Sequence, residues 1–179
     1  MSGELTVLGA VLAGGEARRF GSDKALALFE GRPLIDHVIA RLAPQTDGVV
    51  VVGRDHAGLA RVQDRPAHGL GPLGAIAGAL HWGRAHGFDA VLTVPCDTPL
   101  LPLDLAHALA GEGAAVVDGL PVIGWWPTTL SGALDAWLAE DRSRAVRHWA
   151  AAVGARSVVL ETLPANVNTV ADLDGLSGA

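Results

Sequence analysis

The chain has 179 residues, half of them hydrophobic and only 18% charged, so it is long enough for one sizeable core and too apolar to be disordered. Its net charge of −6 argues against a general affinity for nucleic acid or anionic membranes, so any bound anion must meet a local positive cluster. The single cysteine, Cys96, excludes an internal disulfide and indicates a reducing compartment. No apolar run approaches the roughly 18 residues of a membrane span, and the first one lacks the basic start of a signal peptide, so we expect a cytoplasmic protein.

Strand-like apolar runs alternate with helical patterns along the chain. The predicted strands cover residues 5–12, 48–53, 89–94, 114–118, 121–126 and 156–160. The predicted helices cover residues 34–43, 73–86, 103–110, 128–139, 143–153 and 169–176. Runs such as Val49–Val52 are apolar on both faces, which is typical of strands covered on each side by helices. The alternation predicts a three-layer α/β sandwich with a mostly parallel, Rossmann-like sheet, forming a single domain over residues 1–179.

The loop after the first predicted strand has the composition of a polyphosphate site. Gly14 and Gly15 allow a sharp turn with N–H groups close to a ligand, and Arg18, Arg19 and Lys24 add three positive charges within seven residues. Lys24 is the only lysine of the chain, the other 12 basic residues being arginine, and its compact ammonium group suits a cluster of phosphates. The alternative is an ordinary strand-to-helix turn with solvated arginines. The spacing fits neither a Walker loop nor the G-x-G-x-x-G pattern.

A second glycine-rich segment begins with Asp64 and enters a helix at Pro72. Proline is pre-organised for the first turn of a helix, and Gly69, Gly71 and Gly74 would leave room for a flat ring to approach the backbone. The alternative is a helix N-terminus that packs closely on the sheet.

Asp97 lies just past the end of a buried predicted strand. Mg²⁺ favours one or two carboxylates together with phosphate oxygens and water, so a carboxylate beside phosphates in the first loop would suit it. The alternative is that Asp97 caps the turn that follows, as aspartate before Thr-Pro often does. The neighbouring Cys96 is interpreted as a small packed residue, because no histidine lies nearby in sequence to activate it.

Near the end of the chain, Asn166 and Asn168 alternate, so both amides would face one way from an extended segment. Thr169 followed by Asp172 has the pattern of a helix N-cap with an acidic third residue. The alternative is that the asparagines serve only the turn before this helix.

In this order, these stretches resemble the motifs of the MobA-like nucleotidyltransferases, and most closely those of molybdenum cofactor guanylyltransferases. The opening signature L-A-G-G-x-x-x-R-x-G-x-D-K-A-L is carried by Leu12, Ala13, Gly14, Gly15, Arg19, Gly21, Asp23 and Lys24, followed by Gly31, Pro33 and Leu34. The G-P-L turn at residues 71–73, the C-D-x-P motif at 96–99 and the N-x-N-T motif at 166–169 complete the match. The resemblance runs from residue 8 to about residue 173.

The resemblance implies a fold of the nucleotide-diphospho-sugar transferase type and transfer of GMP from GTP to molybdenum-molybdopterin, with release of pyrophosphate. Lys24 and Arg19 would stabilise the charge of the departing pyrophosphate, and Asp97 would be the metal ligand for Mg²⁺, with Mn²⁺ as the substitute. Asp64 and the turn at 71–74 would hold the nucleoside, and the L-A-G-G form of the signature favours guanine. Binding of nucleotide and acceptor would involve Leu12, Ala13, Gly14, Gly15, Lys24, Asp64, Gly71, Pro72, Leu73, Asp97, Asn166 and Asn168. The implied partners are GTP, molybdopterin and, transiently, other proteins of molybdenum cofactor biosynthesis.

Two positions depart from the family pattern. Arg54 stands where many relatives have an asparagine that contacts the nucleotide, and Leu120 replaces a histidine that often precedes the proline. At the first of these positions Arg54 would be able to substitute for the asparagine.

The segment 120–150 leaves two interpretations open. It holds four of the five tryptophans, and these either belong to the core or stack in part on a flat pterin-like acceptor. It also holds a basic cluster that is either a solvated helix face or a site for the acceptor's phosphate. The residues concerned are Trp125, Trp126, Trp137, Trp149, Arg142, Arg144 and Arg147, of which Arg144 lies nearest the position of a family arginine.

Two other functions stay open at this point. One is a cytidylyl or sugar-phosphate nucleotidyltransferase on the same fold. The other is a non-catalytic guanine-nucleotide-binding accessory protein, against which the presence of both Lys24 and Asp97 argues.

Overall fold

The structure is a computed structural model, and it describes residues 5–14, 23–140 and 142–176. Its strands are β1 (Val7–Leu12), β2 (Leu28–Phe29), β3 (Arg32–Pro33), β4 (Gly48–Val52), β5 (Ala60–Val62), β6 (Ala90–Pro95), β7 (Ala115–Val117), β8 (Leu120–Pro127) and β9 (Arg156–Val158). Its α-helices are α1 (Leu34–Leu42), α2 (Pro72–Ala85), α3 (Leu105–Leu109), α4 (Ser131–Ala139), α5 (Val146–Ala152) and α6 (Val170–Leu176). Short 3₁₀ helices cover Lys24–Leu26, Ala43–Gln45 and Thr128–Leu130. None of these described helices combines the length and the apolarity that crossing a membrane requires.

Seven of the described strands form one sheet in the order β5-β4-β1-β6-β8-β7-β9, and β2 and β3 form a separate hairpin. β1 pairs in parallel with β4 and β6, β4 pairs in parallel with β5, and β7 pairs in parallel with β9. Only β8 among these strands runs antiparallel to its neighbours, β6 and β7. The predicted α/β class with a mostly parallel sheet is confirmed.

The sheet separates two hydrophobic cores, because successive residues of a strand point to opposite faces. In β1, Leu8 and Leu12 pack with α2, α4 and α5, whereas Val7 and Val11 pack with α1 and α3. β1 is buried along its whole length, as the uninterrupted apolar run predicts for a central strand. This burial explains the three-layer arrangement.

Each strand and helix predicted from the apolar patterns is present, with ends displaced by a few residues. β5 and the β2–β3 hairpin were not predicted. β5 has three residues, and only Val62 among them is buried, so the strand shows neither an apolar run nor a clear alternation. The hairpin strands have two residues each, which is too short for any periodicity.

The parallel pairing brings the carboxyl ends of four strands to one edge of the sheet. Leu12 at the end of β1 is opposite Val52 of β4 on one side and Pro95 of β6 on the other. Val52 in turn is opposite Val62 of β5. The loops after these strands therefore start side by side, at the edge where open α/β sheets bind their ligands.

Candidate functional site

The loop after β1 and the loop after β4 touch through their backbones. Ala13 N–H donates a hydrogen bond of 2.9 Å to the Val52 carbonyl oxygen. A Cβ atom on Gly53, whose φ is +94°, would lie 2.4 Å from the Gly14 Cα atom and 2.6 Å from the Gly14 nitrogen. The two glycines therefore allow an approach that no side chain would permit. Gly15, Arg19 and the rest of the segment 15–22 lie outside the described residues.

Lys24 lies beside Asp97, which is far from it in the sequence. The Lys24 Nζ atom is 2.5 Å from Asp97 Oδ2 and donates a hydrogen bond of 3.0 Å to Asn168 Oδ1. The Lys24 and Asp97 side chains are 21% and 16% exposed, so both reach solvent at the edge of the sheet. Three motifs that were recognised separately in the sequence thus meet at one ammonium group.

The two asparagines of the N-x-N-T motif lie along the loop that carries Asp97. Thr98 Oγ1 donates a hydrogen bond of 2.6 Å to Asn166 Oδ1, and Val167 N–H donates one of 2.9 Å to the Asp97 carbonyl oxygen. Asn166 is thereby held at Thr98 while Asn168 is held at Lys24. The two asparagine side chains therefore join the segment before α6 to Thr98 and Lys24.

The predicted helix cap is also present. The Asp172 carboxylate accepts a hydrogen bond of 2.8 Å from Thr169 N–H, and Thr169 Oγ1 accepts one of 3.3 Å from Asp172 N–H. Asp172 additionally accepts from Asn168 N–H at 2.7 Å. This capping box at the start of α6 fixes the backbone of Asn168, the residue that contacts Lys24.

The Asp97 carboxylate pairs with Lys24, and the Thr98 hydroxyl lies 3.5 Å from its other oxygen. Across residues 5–14, 23–140 and 142–176, no group of three or more His, Cys, Asp and Glu side chains could enclose a metal ion. One accessible carboxylate near amide oxygens fits Mg²⁺, which keeps several waters and takes further oxygens from phosphates rather than from a protein cage.

Asp64 presents a buried acceptor toward the first loop. Its Oδ1 atom is inaccessible to solvent and has no hydrogen-bond donor among the described residues. A Cβ atom on Gly14 would lie 3.7 Å from this oxygen, so the carboxylate faces the Gly14 backbone. Burial raises the pKa of Asp64, and the charge of His68 opposes that rise. A buried carboxylate oxygen without a hydrogen-bond donor among the described residues is energetically costly.

The turn after Asp64 differs in part from the prediction. Gly71 precedes α2 with a φ of +66°, and Pro72 is the first residue of the helix, as expected. Gly74, however, packs against Leu70, whose Cβ atom would be 2.9 Å from a Cβ placed on this glycine. Gly74 therefore serves the close packing of the turn and does not leave room for a ring.

Some residues predicted to bind the nucleotide belong to the core. The Leu73 side chain is fully buried and that of Leu12 nearly so. A ligand at this edge would therefore meet the backbone of these two residues. Cys96 is mostly buried too, and desolvation raises the pKa of its thiol to about 12, which leaves very little reactive thiolate at neutral pH.

Three tryptophans of the segment 120–150 belong to the core. Trp125, Trp126 and Trp149 are at most 2% exposed, so their rings have no free face for an acceptor. Trp137 packs edge-on against Trp149, and the Arg142 guanidinium lies 4.8 Å from the centre of the Trp137 ring. Arg142 also pairs with Glu140, which directs it to the surface of this cluster.

The other two arginines of the basic cluster line a cavity of about 590 Å³. The cavity lies between the β7–β8 turn and α5, and it reaches Pro72 at the start of α2. Its wall is largely apolar, and the charged residues on it are Arg144, Arg147 and Asp118. This cavity adjoins the glycine turn of the nucleotide segment.

The pair formed by Arg54 and Asp23 was not predicted. Arg54 follows Gly53, and its guanidinium donates hydrogen bonds of 2.7 and 2.6 Å to the two carboxylate oxygens of Asp23. Asp23 in turn caps the 3₁₀ helix that begins with Lys24. The departure from the family pattern at Arg54 was the one sequence feature that pointed to this residue. Its partner Asp23 could not be identified from it, because the two residues are 31 positions apart and are brought together by the pairing of β1 with β4.

Comparison with known proteins agrees with this geometry. The MobA-like NTP transferase domain family matches residues 9–162. A molybdenum cofactor guanylyltransferase of Cereibacter sphaeroides is 40% identical over 166 residues, which covers 84% of this chain and 86% of the relative. That of Rhodobacter capsulatus is 36% identical over 182 residues and covers 94% of each chain. The resemblance stated from the four motifs is confirmed.

A solved structure agrees in fold. The crystal structure of molybdopterin-guanine dinucleotide biosynthesis protein A from Archaeoglobus fulgidus has a TM-score of 0.76 to this chain at 21% sequence identity. The match covers 94% of this chain and 95% of that one. At this identity the likeness concerns the fold.

Proposed function

We propose that this chain, which belongs to the MobA-like NTP transferase family, transfers GMP from GTP to molybdenum-bound molybdopterin. The products are pyrophosphate and the guanine dinucleotide form of the molybdenum cofactor. The names of its curated relatives, together with the chemistry of the site, favour this acceptor over a sugar phosphate.

The observation that carries the proposal is the meeting of Lys24, Asp97 and Asn168 beside the first loop. A nucleotide's phosphate chain needs positive charge, and the chain's only lysine stands at this edge. It also needs a site where a divalent cation is held by few protein ligands, which the single carboxylate of Asp97 would provide. Lys24 Nζ and Asp97 Oδ2, which lie 2.5 Å apart, would meet these two requirements side by side.

In the proposed reaction an oxygen of the acceptor's phosphate attacks the α-phosphorus of GTP, and the bond from that phosphorus to the β-phosphate oxygen breaks. The electron pair of that bond leaves with the pyrophosphate. Lys24 and the N–H groups of the first loop would bind the β- and γ-phosphates and stabilise the charge that develops on them. Arg19, outside the described residues, is proposed to add to this charge.

Asp97 would hold Mg²⁺, with Mn²⁺ as a substitute. When bound, the cation would neutralise phosphate charge and orient the two reacting groups. The chain's own contribution is alignment, because the acceptor phosphate is already ionised at neutral pH and no general base is needed. Asn168 and Asn166 would fix the Lys24 and Asp97 loops against each other during the transfer.

Asp64 and the turn at Gly71 and Pro72 would bind the nucleoside. The buried Asp64 oxygen is suited to accept from the N–H groups of a guanine edge or from a ribose hydroxyl. The cavity lined by Arg144 and Arg147 begins at Pro72, and it would receive the acceptor, with its apolar wall against the ring system and an arginine at the phosphate.

Replacing Asp64 by alanine is expected to raise the KM for GTP by about tenfold or more, because the ligand's donor would lose its charged partner in a buried place. The kcat should change much less, since Asp64 is proposed to bind the nucleoside and not the phosphates. Steady-state kinetics with varied GTP measures both constants. Replacement of the exposed Asp55, one strand away, is the matched control. A fall in kcat at unchanged KM would contradict a nucleoside role.

The deciding experiment mixes the protein with Mg²⁺, molybdenum-bound molybdopterin and GTP, CTP or UTP in turn, and measures pyrophosphate. Release with GTP, dependent on the acceptor, is expected. Release with CTP instead would support the cytidylyl alternative. GTP binding without release of pyrophosphate would support a non-catalytic nucleotide-binding protein.

A further inference from the structure

We propose that Arg54 is a positioning residue: by clamping the Asp23 carboxylate it sets the place of Lys24 at the site. This inference rests on the proposed function, since it assumes that Lys24 binds the nucleotide's phosphates. It assigns a different role from the one in which Arg54 replaces a nucleotide-binding asparagine.

The clamp joins two loops that the sheet brings together. Arg54 follows Gly53, whose backbone rests against Gly14, so the arginine starts at the carboxyl end of β4 next to the first loop. Its two terminal nitrogens donate to both oxygens of Asp23 at 2.7 and 2.6 Å. A bidentate pair of this kind fixes orientation as well as distance.

Asp23 transmits this constraint to Lys24 through the backbone. Its Oδ1 atom also accepts a hydrogen bond of 3.2 Å from Ala25 N–H, which caps the 3₁₀ helix Lys24–Leu26. Lys24 is the first residue of that helix. The carboxylate is therefore bound on one side by Arg54 and on the other by the turn that directs Lys24 to Asp97 and Asn168.

The clamp also keeps the Asp23 carboxylate ionised. Hydrogen bonding to Arg54 lowers the pKa of Asp23, and hydrogen bonding to Asp23 raises the pKa of Arg54, so both groups stay charged and paired at neutral pH.

A direct phosphate ligand would behave differently. If Arg54 itself bound the nucleotide, its contact with Asp23 would be a competitor, and removal of the aspartate charge would leave catalysis intact or improve it. If Arg54 acts through Asp23, removal of either partner should damage the site in the same way. The Asp23→Asn and Arg54→Ala variants therefore separate the two roles.

The experiment measures kcat/KM for GTP in Arg54→Ala, Asp23→Asn, Lys24→Ala and the double variant Arg54→Ala/Lys24→Ala. We expect a loss of about 10- to 100-fold in the first two variants, because a small displacement of a binding group weakens the aligned complex. In the Lys24→Ala background the Arg54 substitution should have almost no further effect. Arg61→Ala, which breaks a nearby exposed pair with Asp55, is the matched control and should keep full activity.

A second readout does not depend on turnover. Because Lys24 is the only lysine, protein labelled with [ε-¹³C]lysine gives a single side-chain NMR signal. This signal should shift in both Arg54→Ala and Asp23→Asn and stay in place in Arg61→Ala.

Additive losses in the double variant, normal activity in Asp23→Asn, or an unchanged lysine signal in Arg54→Ala would overturn the proposal. If Arg54→Ala does not fold, Asp23→Asn with the lysine signal decides alone. Failure of the proposed function is recognised separately, as an absence of GTP-dependent pyrophosphate release by the unaltered protein, and it would leave the lysine signal and its response to Arg54 in place.

Discussion

Replacing Asp97 by alanine is expected to lower kcat by about 10²–10³-fold, the usual loss when a preorganised electrostatic group is removed from a transition state. Asp97 is the carboxylate proposed to hold the cation, and it also pairs with Lys24 at 2.5 Å. Lys24→Ala should cause a loss of the same size, since the same phosphate chain loses its fixed charge. Pyrophosphate release at saturating GTP and Mg²⁺ measures both effects.

Asp135→Ala is a matched control for Asp97. It removes a carboxylate on α4 whose Oδ2 atom lies 2.7 Å from the Nε2 atom of His81 on α2. Neither residue belongs to the four motifs of the site. It should keep kcat within about twofold, as expected of a partly exposed pair away from the chemistry. If Asp97→Ala keeps most of its Mg²⁺-dependent turnover, the assignment of the metal ligand is wrong. Isothermal titration with Mn²⁺ and GTP gives a readout that does not depend on turnover, and the variant should lose the metal-dependent part of binding.

Replacing Gly53 by alanine is expected to destabilise the fold by about 3 kcal/mol or more and to abolish nucleotide binding. The new Cβ would lie 2.4 Å from the Gly14 Cα atom, which is backbone and cannot rotate away. The positive φ of +94° adds a conformational cost for any residue other than glycine. Urea denaturation measures the free energy of unfolding.

Gly58 allows the two costs to be separated. It also has a positive φ, +73°, but a Cβ atom there would meet nothing within 4 Å. Gly58→Ala should therefore cost only about 1–2 kcal/mol, from backbone conformation alone. The difference between the two losses of unfolding free energy measures the steric cost of placing a Cβ atom where the two loops touch. Equal losses would show that the contact with Gly14 is of no consequence.

The secondary-structure elements and motifs could be predicted from the sequence where a short-range pattern marks them. The apolar runs that became β1, β4 and β6 are continuous because both faces of these strands are covered. The capping box at Thr169 and Asp172 is a short-range pattern, and it formed as predicted. The positions of Lys24 and Asp97 at one edge followed from the rule that ligand sites of parallel sheets lie at the carboxyl ends of strands.

Contacts between residues that are far apart in the sequence could not be predicted. The contact of Gly14 with Gly53 and the clamp of Arg54 on Asp23 arise from the pairing of β1 with β4, which no local pattern encodes. The packing of Gly74 on Leu70 could not be chosen over the alternative from sequence, because a glycine that makes room for a ligand and one that makes room for a neighbour look the same there. The tryptophans were ambiguous for a similar reason, since an aromatic ring suits a core and a flat ligand equally well.

The adjacent tryptophans of β8 have a consequence for how the molecule holds together. Trp126 packs into the layer of α2, α4 and α5, while Trp125 packs into the layer of α1 and α3. A slip of this strand by a single position would drive each indole into the wrong layer, so the register of the one reversed strand is locked from both sides at once. β8 therefore packs into both hydrophobic cores. The part of the strand that lines the arginine-lined cavity, at Pro121 and Val122, is held in place by both cores.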